Sequence, residues 1–216
     1  MNVVDGRQPS RGGAGGLRDP AAAKAALRDE ARLRRDMIAP AARAEHARVI
    51  ARRFMDELLP RLVGAAPVSV ISAYWPIRSE VDPQPLLELL AQAGYVTCLP
   101  VVAHPRLIFR VWRPGDPLAD AGFGTRGPTA GAPERDPDLV VTPCLAFDRD
   151  GGRLGYGAGH FDRALARLRA ARPGVRAVAL AFAAQERVTT FSQPHDQPLD
   201  AIVTERELVL PGRAGA

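Results

Sequence analysis

Residues 139–169 read LVVTPCLAFDRDGGRLGYGAGHFDRALARLR, an apolar segment that passes through a glycine-rich turn into an amphipathic helix. The uncharged run 139–147 predicts an interior strand of a parallel sheet, ended by Asp148. Gly151, Gly152, Gly155, Gly157 and Gly159 follow, dense enough to let the backbone take positive φ and to leave its N–H groups uncovered. A helix then starts with Phe161, Leu165 and Leu168 on one face and Asp162 in its first turn. Its free N–H groups and positive dipole end point back at the glycine turn, where an anion would sit. A lone G-x-G-x-G is equally the mark of a tight surface loop, so the glycines by themselves leave both readings open.

A chain of 216 residues, 46% of them apolar, can bury one sizeable core. The alternation of element types predicts a single α/β domain over residues 19–210. Residues 1–18, glycine- and arginine-rich without periodicity, are expected to be disordered. No apolar run has the length of a membrane span or a secretory core. Cys98 and Cys144 each lie in an apolar, strand-like stretch, which predicts free buried thiols in a reducing cytoplasm. The net charge of +5 is carried almost wholly by arginine. Between Arg28 and Arg61 the arginines wrap around the first helices without interleaved aromatics, the pattern of a solvated face rather than of a nucleic-acid surface. The same field would draw an anionic small molecule.

Asp19 before Pro20 signals a helix to about residue 38, and Pro40 opens a second that ends near residue 59, with His46, Val49, Ile50, Phe54 and Leu58 as its buried stripe. Lys24 is the only lysine in the chain. Lys24 and Arg28 are four apart, so they emerge from one helix face and either converge on a polyanion or belong to the solvated face. Residues 67–74 read as a strand, 85–93 as a helix closed by Gly94, and 95–102 as the next strand, one βαβ unit. The loop between that first strand and its helix holds Trp75 and Glu80 at a strand's carboxyl end, where open α/β sheets bind ligands. Taken alone, Trp75 is also a plausible half-buried strand-end aromatic and Glu80 an exposed loop acid. Residues 106–112 predict an antiparallel strand after a turn at His104 and Pro105, and 114–138 a long Gly- and Pro-rich cover. Strands at 176–183 and 201–204 complete the pattern.

The word A-F-D, a short turn and R-L-G-Y-G-A-G-H-F-D-R at 153–163 resembles the signature of the 5-formyltetrahydrofolate cyclo-ligase (methenyltetrahydrofolate synthetase) family, usually R-L-G-x-G-x-G-[YFH]-[YF]-D-R. K-A-A-L-R at 24–28 is similar to that family's N-terminal K-x-x-x-R pair. Gln185, then His195-Asp196-Gln197-Pro198-Leu199-Asp200 and Ile202-Val203-Thr204-Glu205, resemble its ending. The likeness spans about residues 24–205, in order.

The resemblance implies a three-layer α/β/α fold with a mainly parallel central sheet, like ribose-phosphate isomerase and the CoA transferases. It implies ATP- and Mg²⁺-dependent conversion of 5-formyltetrahydrofolate, with or without a polyglutamate tail, to 5,10-methenyltetrahydrofolate, ADP and phosphate. Lys24 and Arg28 would contact ATP, with Arg28 also approaching the folate, and Arg153 would pair a phosphate or only stabilise its loop. Gly155, Tyr156, Gly157, Ala158, Gly159, His160 and Phe161 would hold the nucleotide. Tyr156, Gly157, Gly159 and His160 would also reach the folate, beside Trp75 and Glu80. Asp162 and Asp196 would ligate Mg²⁺; without the resemblance, Asp196 reads as a turn or capping residue. A cytoplasmic monomer acting on a small molecule, with neither nucleic acid nor membrane as partner, is the expected state. Three departures stand out: Gly127 in place of the Glu of a common E-P pair, Pro83 where Thr is frequent, and His160-Phe161 where two phenol-bearing or Phe-Tyr residues are usual. A same-fold sugar-phosphate isomerase or acyl transferase is the alternative. The lone lysine in an N-terminal helix argues against the acid–lysine pair expected of an isomerase.

Overall fold

The computed structural model describes residues 20–64, 68–122 and 124–212. The expected N-terminal tail and the Asp19 cap lie outside them. The chain opens with α1 (Pro20–Asp36), α2 (Pro40–Arg53), a π-helical turn (Phe54–Leu58) and α3 (Leu59–Val63). Then come β1 (Val70–Ser72), α4 (Gln84–Gln92), β2 (Val96–Ala103), β3 (Arg106–Val111), β4 (Leu118–Asp120) and β5 (Arg126–Pro128). The second half holds β6 (Leu139–Thr142), β7 (Ala146–Phe147), β8 (Arg153–Leu154), α5 (His160–Ala171), β9 (Arg176–Leu180), β10 (Ala201–Val203) and β11 (Leu208–Val209).

Seven strands form one sheet in the order β11-β10-β9-β6-β1-β2-β3. The five central strands are mutually parallel, and the two edges, β11 and β3, run antiparallel. Parallel strands covered on both faces need apolar side chains in both directions. Leu139, Val140 and Val141 of β6 are all fully buried, Leu139 and Val141 among the residues under α2, α3 and α4, and Val140 among those under α5. That division makes the three layers expected from the sequence. Strand order reverses between β1 and β6: from β1 the chain builds outward through β2 to β3, and then returns to lay β6 on the other side. The carboxyl ends of β1 and β6 therefore diverge and leave a crevice.

Several boundaries differ from the sequence expectation. The strand expected over 139–147 leaves the sheet after Thr142, because Pro143 has no N–H to continue the ladder. Its remainder pairs with β8 as a separate hairpin. The second helix runs on to Val63 past Pro60, and the π-helical turn just before it, where the Leu59 N–H bonds to Phe54 O, accommodates the proline's missing donor and bulk. The cover at 114–138 contains the β4–β5 hairpin. The last predicted strand pair gains an unforeseen antiparallel edge, β11. Gly127 in β5 lies so close to β2 that a Cβ would meet Pro100 O and Val101 Cγ2 at 3.0 Å. A glutamate there would need β2 and its Val101 side chain to give by a few tenths of an ångström.

Candidate active site

A cavity of about 500 Å³ opens at the crevice between the ends of β1 and β6. It is lined by Tyr74 and Trp75 after β1 and by Pro143 and Cys144 after β6. The volume is in the range of small-molecule sites. All fourteen residues singled out in the sequence line it: Lys24, Arg28, Trp75, Glu80, Arg153, Gly155, Tyr156, Gly157, Ala158, Gly159, His160, Phe161, Asp162 and Asp196.

On one side stands the glycine turn. Gly157 (φ 103°) and Gly159 (φ 64°) take left-handed backbone, and Gly159 precedes α5 with no side chain capping the helix. Uncapped N–H groups at the head of a 12-residue helix form an anion-receptive end. Arg28 lies along this turn, its Nε donating to Gly155 O at 3.0 Å, and a Cβ on Gly157 would meet its guanidinium at 3.5 Å. Lys24 is not on a solvated face: it is 8% exposed, and its Nζ lies 2.7 Å from Asp196 Oδ2 and 3.3 Å from Gln193 Oε1. This brings together the acid–lysine pair that the N-terminal position of the lysine argued against, so that sequence argument does not separate an isomerase from a ligase. Burial opposes ionisation of Asp196, but the bonds from Lys24 and the Gln193 N–H outweigh it and hold its carboxyl below the usual range.

Arg153, its side chain only 4% exposed, pairs with Asp162 at 2.6 Å, and Asp162 Oδ1 also accepts the Gln197 N–H at 3.1 Å. Asp162 Oδ2 has no hydrogen-bond partner among the described residues. Two carboxylates open to one cavity are a hard-oxygen donor set suited to Mg²⁺. Among the described residues no group of three or more His, Cys, Asp or Glu is placed to hold a metal, so a cation at these two acids would need ligand and water oxygens to complete its shell.

Elsewhere the lining is apolar and aromatic. Trp75 meets Trp112 edge to face at 5.8 Å, and Pro100, Val102 and Leu107 continue the wall. Glu80 is no exposed loop acid. It is 7% exposed, Oε2 accepts the Ile77 N–H at 2.9 Å, and burial pushes its carboxyl up to about 7 against the pull of that bond, Arg35 and Arg78.

Behind the cavity lies Arg35, which the sequence reading left on the solvated face. It is fully buried and touches the β1 loop, the β6 exit and the glycine turn at once. Its signal is the inward stripe of α1: Lys24, Ala31 and Arg35 are all buried, Arg28 is half-buried, and Arg32 and Arg34 are exposed. Gln185, already noted in the C-terminal pattern, is buried as well, and its Nε2 donates to Cys144 O at 2.7 Å and Leu145 O at 3.2 Å where the chain leaves β6. Asp148, the acid of the A-F-D word, accepts the N–H groups of Gly152 and Thr190 at 2.7 and 2.9 Å. It thereby ties the glycine turn to the segment that carries Asp196.

A doubly covered, mainly parallel sheet whose switch-point cavity faces an uncapped helix end defines an α/β enzyme domain receptive to an anionic ligand. The 5-formyltetrahydrofolate cyclo-ligase family model matches residues 20–205, and the chain belongs to that family of nucleotide-using ligases. A 5-formyltetrahydrofolate cyclo-ligase of Escherichia coli strain K12 is 34% identical over 142 residues, covering 62% of this chain and 75% of the relative. One of Mycolicibacterium smegmatis is 33% identical over 150 residues, 63% and 73% of the two chains. The solved 5,10-methenyltetrahydrofolate synthetase of Aquifex aeolicus superposes with a TM-score of 0.73 at 25% identity, over 89% of this chain and 95% of that one.

Proposed function

We propose that this protein cyclises 5-formyltetrahydrofolate to 5,10-methenyltetrahydrofolate with consumption of ATP, residues 19–210 acting as one domain. The observation that carries the reading is the mixed lining of one cavity: an uncapped helix end with Lys24 and Arg28 shares a single space with aromatic and apolar side chains. Triphosphate suits the first set and a pterin ring the second.

A formamide oxygen is a poor leaving group. Transfer of the γ-phosphoryl group breaks its bond to ADP and makes a bond to the N5-formyl oxygen. N10 then attacks the activated carbon, the carbon–oxygen bond breaks, phosphate departs and the N10 proton is lost. Such transfer asks the protein for positioning and charge neutralisation. Lys24, Arg28 and the N–H groups of the glycine turn supply both to the phosphates. Arg153 holds Asp162, and Trp75 with its apolar neighbours stacks the pterin and excludes water. Asp162 and Asp196 would hold Mg²⁺, which when bound neutralises phosphate charge. Glu80, half-protonated near neutrality, can meet either a donor or an acceptor on the folate. Two buried unpaired thiols support a reducing cytoplasm as its setting, and among the described residues no helix is long and apolar enough to cross a membrane.

The test is direct: purified protein is incubated with 5-formyltetrahydrofolate, ATP and Mg²⁺, and the near-ultraviolet absorbance of the methenyl product is followed. Growth of that band only when all three are present is the expected result. A flat trace with protein that is folded and binds nucleotide would overturn the reading.

A further inference from the structure

Arg35 is a buried cation, 0% exposed, with no carboxylate within ion-pair distance of its guanidinium among the described residues; the buried Glu80 carboxyl feels its charge only from further away. Its partners are neutral. Nε donates to Ser79 Oγ at 3.0 Å, Nη1 to Cys144 O at 3.3 Å and Nη2 to Tyr156 Oη at 2.7 Å. Ser79 Oγ in turn donates a hydrogen bond to Oδ1 of Asp36, an exposed residue at the end of α1. Burying a charge on neutral acceptors is costly, and such a group is retained where its field or its geometry is used.

The geometry points to a use. A guanidinium has no lone pair to give, so in the Arg35–Tyr156 bond the phenol oxygen must accept. The phenol proton is then left to point elsewhere, and Tyr156 lines the cavity. Arg78 stands over the same ring, 5.8 Å from its centroid, with Arg35 at 5.9 Å. A phenol whose oxygen accepts from a cation is polarised and becomes a stronger donor. Tyr156 of the glycine turn and Arg78 and Glu80 of the β1 loop line the same cavity.

We propose that Arg35 is a positioning residue that holds Tyr156 as an oriented hydrogen-bond donor to the oxygen that gains charge during phosphoryl transfer to the folate. The inference rests on the cyclisation reading and adds to it a residue outside the cavity lining. A donor aimed at developing charge acts on turnover more than on binding. Arg35 and Tyr156 then work as one unit, and removing either removes the same interaction.

The experiment uses Tyr156→Phe, Arg35→Lys and the double variant of the full chain. Steady-state kcat and KM are measured for both substrates, together with melting temperature and quenching of the tryptophan fluorescence by 5-formyltetrahydrofolate. Trp75 lines the cavity and Trp112 touches it, so the quench reports binding without turnover. The expected result is a kcat lowered roughly tenfold or more by Tyr156→Phe, with KM and quench held within about threefold. The double variant should be no worse than the poorer single variant by more than about threefold. Unchanged kcat in Tyr156→Phe overturns the proposal, as do losses that multiply in the double variant. A merely structural role is shown by lower melting temperature and weaker binding at unchanged kcat. Should Arg35→Lys fail to fold, Tyr156→Phe alone decides by its kcat. A wild-type protein that binds the folate but forms no methenyl product sinks the cyclisation reading and this inference together, whereas an active wild type with an unaffected Tyr156→Phe sinks the inference alone.

Discussion

The two sides of the cavity handle charge in opposite ways. At the glycine-turn rim every carboxylate is matched: Lys24 with Asp196, Arg153 with Asp162. In the wall behind and opposite, Arg35 has only neutral partners, and Glu80 is buried with a single backbone N–H on its carboxylate. Rim pairs can exchange partners when a polyanion arrives, because each cation has a carboxylate to leave and each carboxylate a cation to release. Wall groups have no ion-pair partner to exchange: Arg35 keeps its charge, and Glu80 can respond only by gaining or losing a proton. On the proposed function, rim residues would meet the ligand by rearranging, and substitutions in the two regions should report the difference.

The largest effect belongs to the rim. Lys24→Ala removes a charge-assisted bond worth about 1.5 to 3 kcal/mol and should lower ATP-dependent turnover at low ATP roughly ten- to hundredfold. Because Lys24 is buried against Asp196, the same change also costs stability, expected as a fall of several degrees in melting temperature. Asp196 has a depressed carboxyl, so the stability of this pair is present above the ordinary aspartate value and is lost as pH falls through the lower folded one. Lys24→Ala should flatten that acid limb. Lys24→Arg keeps the charge but not the compact ammonium and should be only partly active. Wild-type kinetics at low ATP in Lys24→Ala would return the lysine to a structural role.

Asp162→Ala and Asp196→Ala come next. Each removes one of two acids that face the same space, and at limiting Mg²⁺ each should lower turnover about tenfold, with part of the loss recovered as Mg²⁺ is raised. Asp162→Ala also strands Arg153 in a site where its side chain is 4% exposed, so its melting temperature should fall as well. Titration of turnover against Mg²⁺ separates the two contributions. An unshifted Mg²⁺ dependence in either variant would remove that residue from the metal assignment.

Glu80→Gln probes the wall. A carboxyl raised to about 7 in the folded protein binds its proton more tightly than in the unfolded chain, so its contribution to stability falls as pH rises from the ordinary value near 4.5 through 7. Glutamine keeps an acceptor for the Ile77 N–H and has no proton to lose. The variant should be more stable than the parent at pH 8, by on the order of 3 kcal/mol, and equal to it near pH 4. Thermal melts across that interval check this, and parallel curves would place the Glu80 carboxyl in its ordinary range.

Much of this arrangement was legible in the chain. Residues 153–163 and the K-A-A-L-R word led to the residues of one cavity through their resemblance to a family pattern; taken alone, the glycine turn and the Lys24–Arg28 face left a surface reading open as well. The mainly parallel sheet followed from uncharged strand runs that need cover on both sides. What escaped is what depends on partners far along the chain. The burial of Arg35 depends on contacts with residues 79, 144 and 156, which its own neighbourhood, a run of arginines, does not announce. The Lys24–Asp196 pair joins residues 172 apart, and the β4–β5 hairpin inside a Gly- and Pro-rich stretch has too little apolar alternation to read as strands.

His160→Tyr should have the smallest effect and is the finest test of the rim. His160 opens α5 where the family pattern allows Tyr, Phe or His, and its Nδ1 lies 3.1 Å from Arg163 Nη2. Burial lowers its basicity, and the nearby charges of Arg163 and His104 lower it further. Both effects favour the neutral ring, so a phenol in its place takes little charge from the anion-receptive end. Tyrosine also keeps a flat face for stacking and a polar edge within reach of water. A change of about two- to threefold in kcat or in KM for ATP is expected, within the range of a modest repacking at a half-exposed position. The pH profile should keep its shape on the alkaline side of the ordinary histidine value, where the lowered basicity favours the neutral ring. A loss of tenfold or more in soluble, folded His160→Tyr protein, or the disappearance of a titration step there, would show that the imidazole itself takes part in handling the anion, and the rim would then hold a titrating group in addition to its two ion pairs.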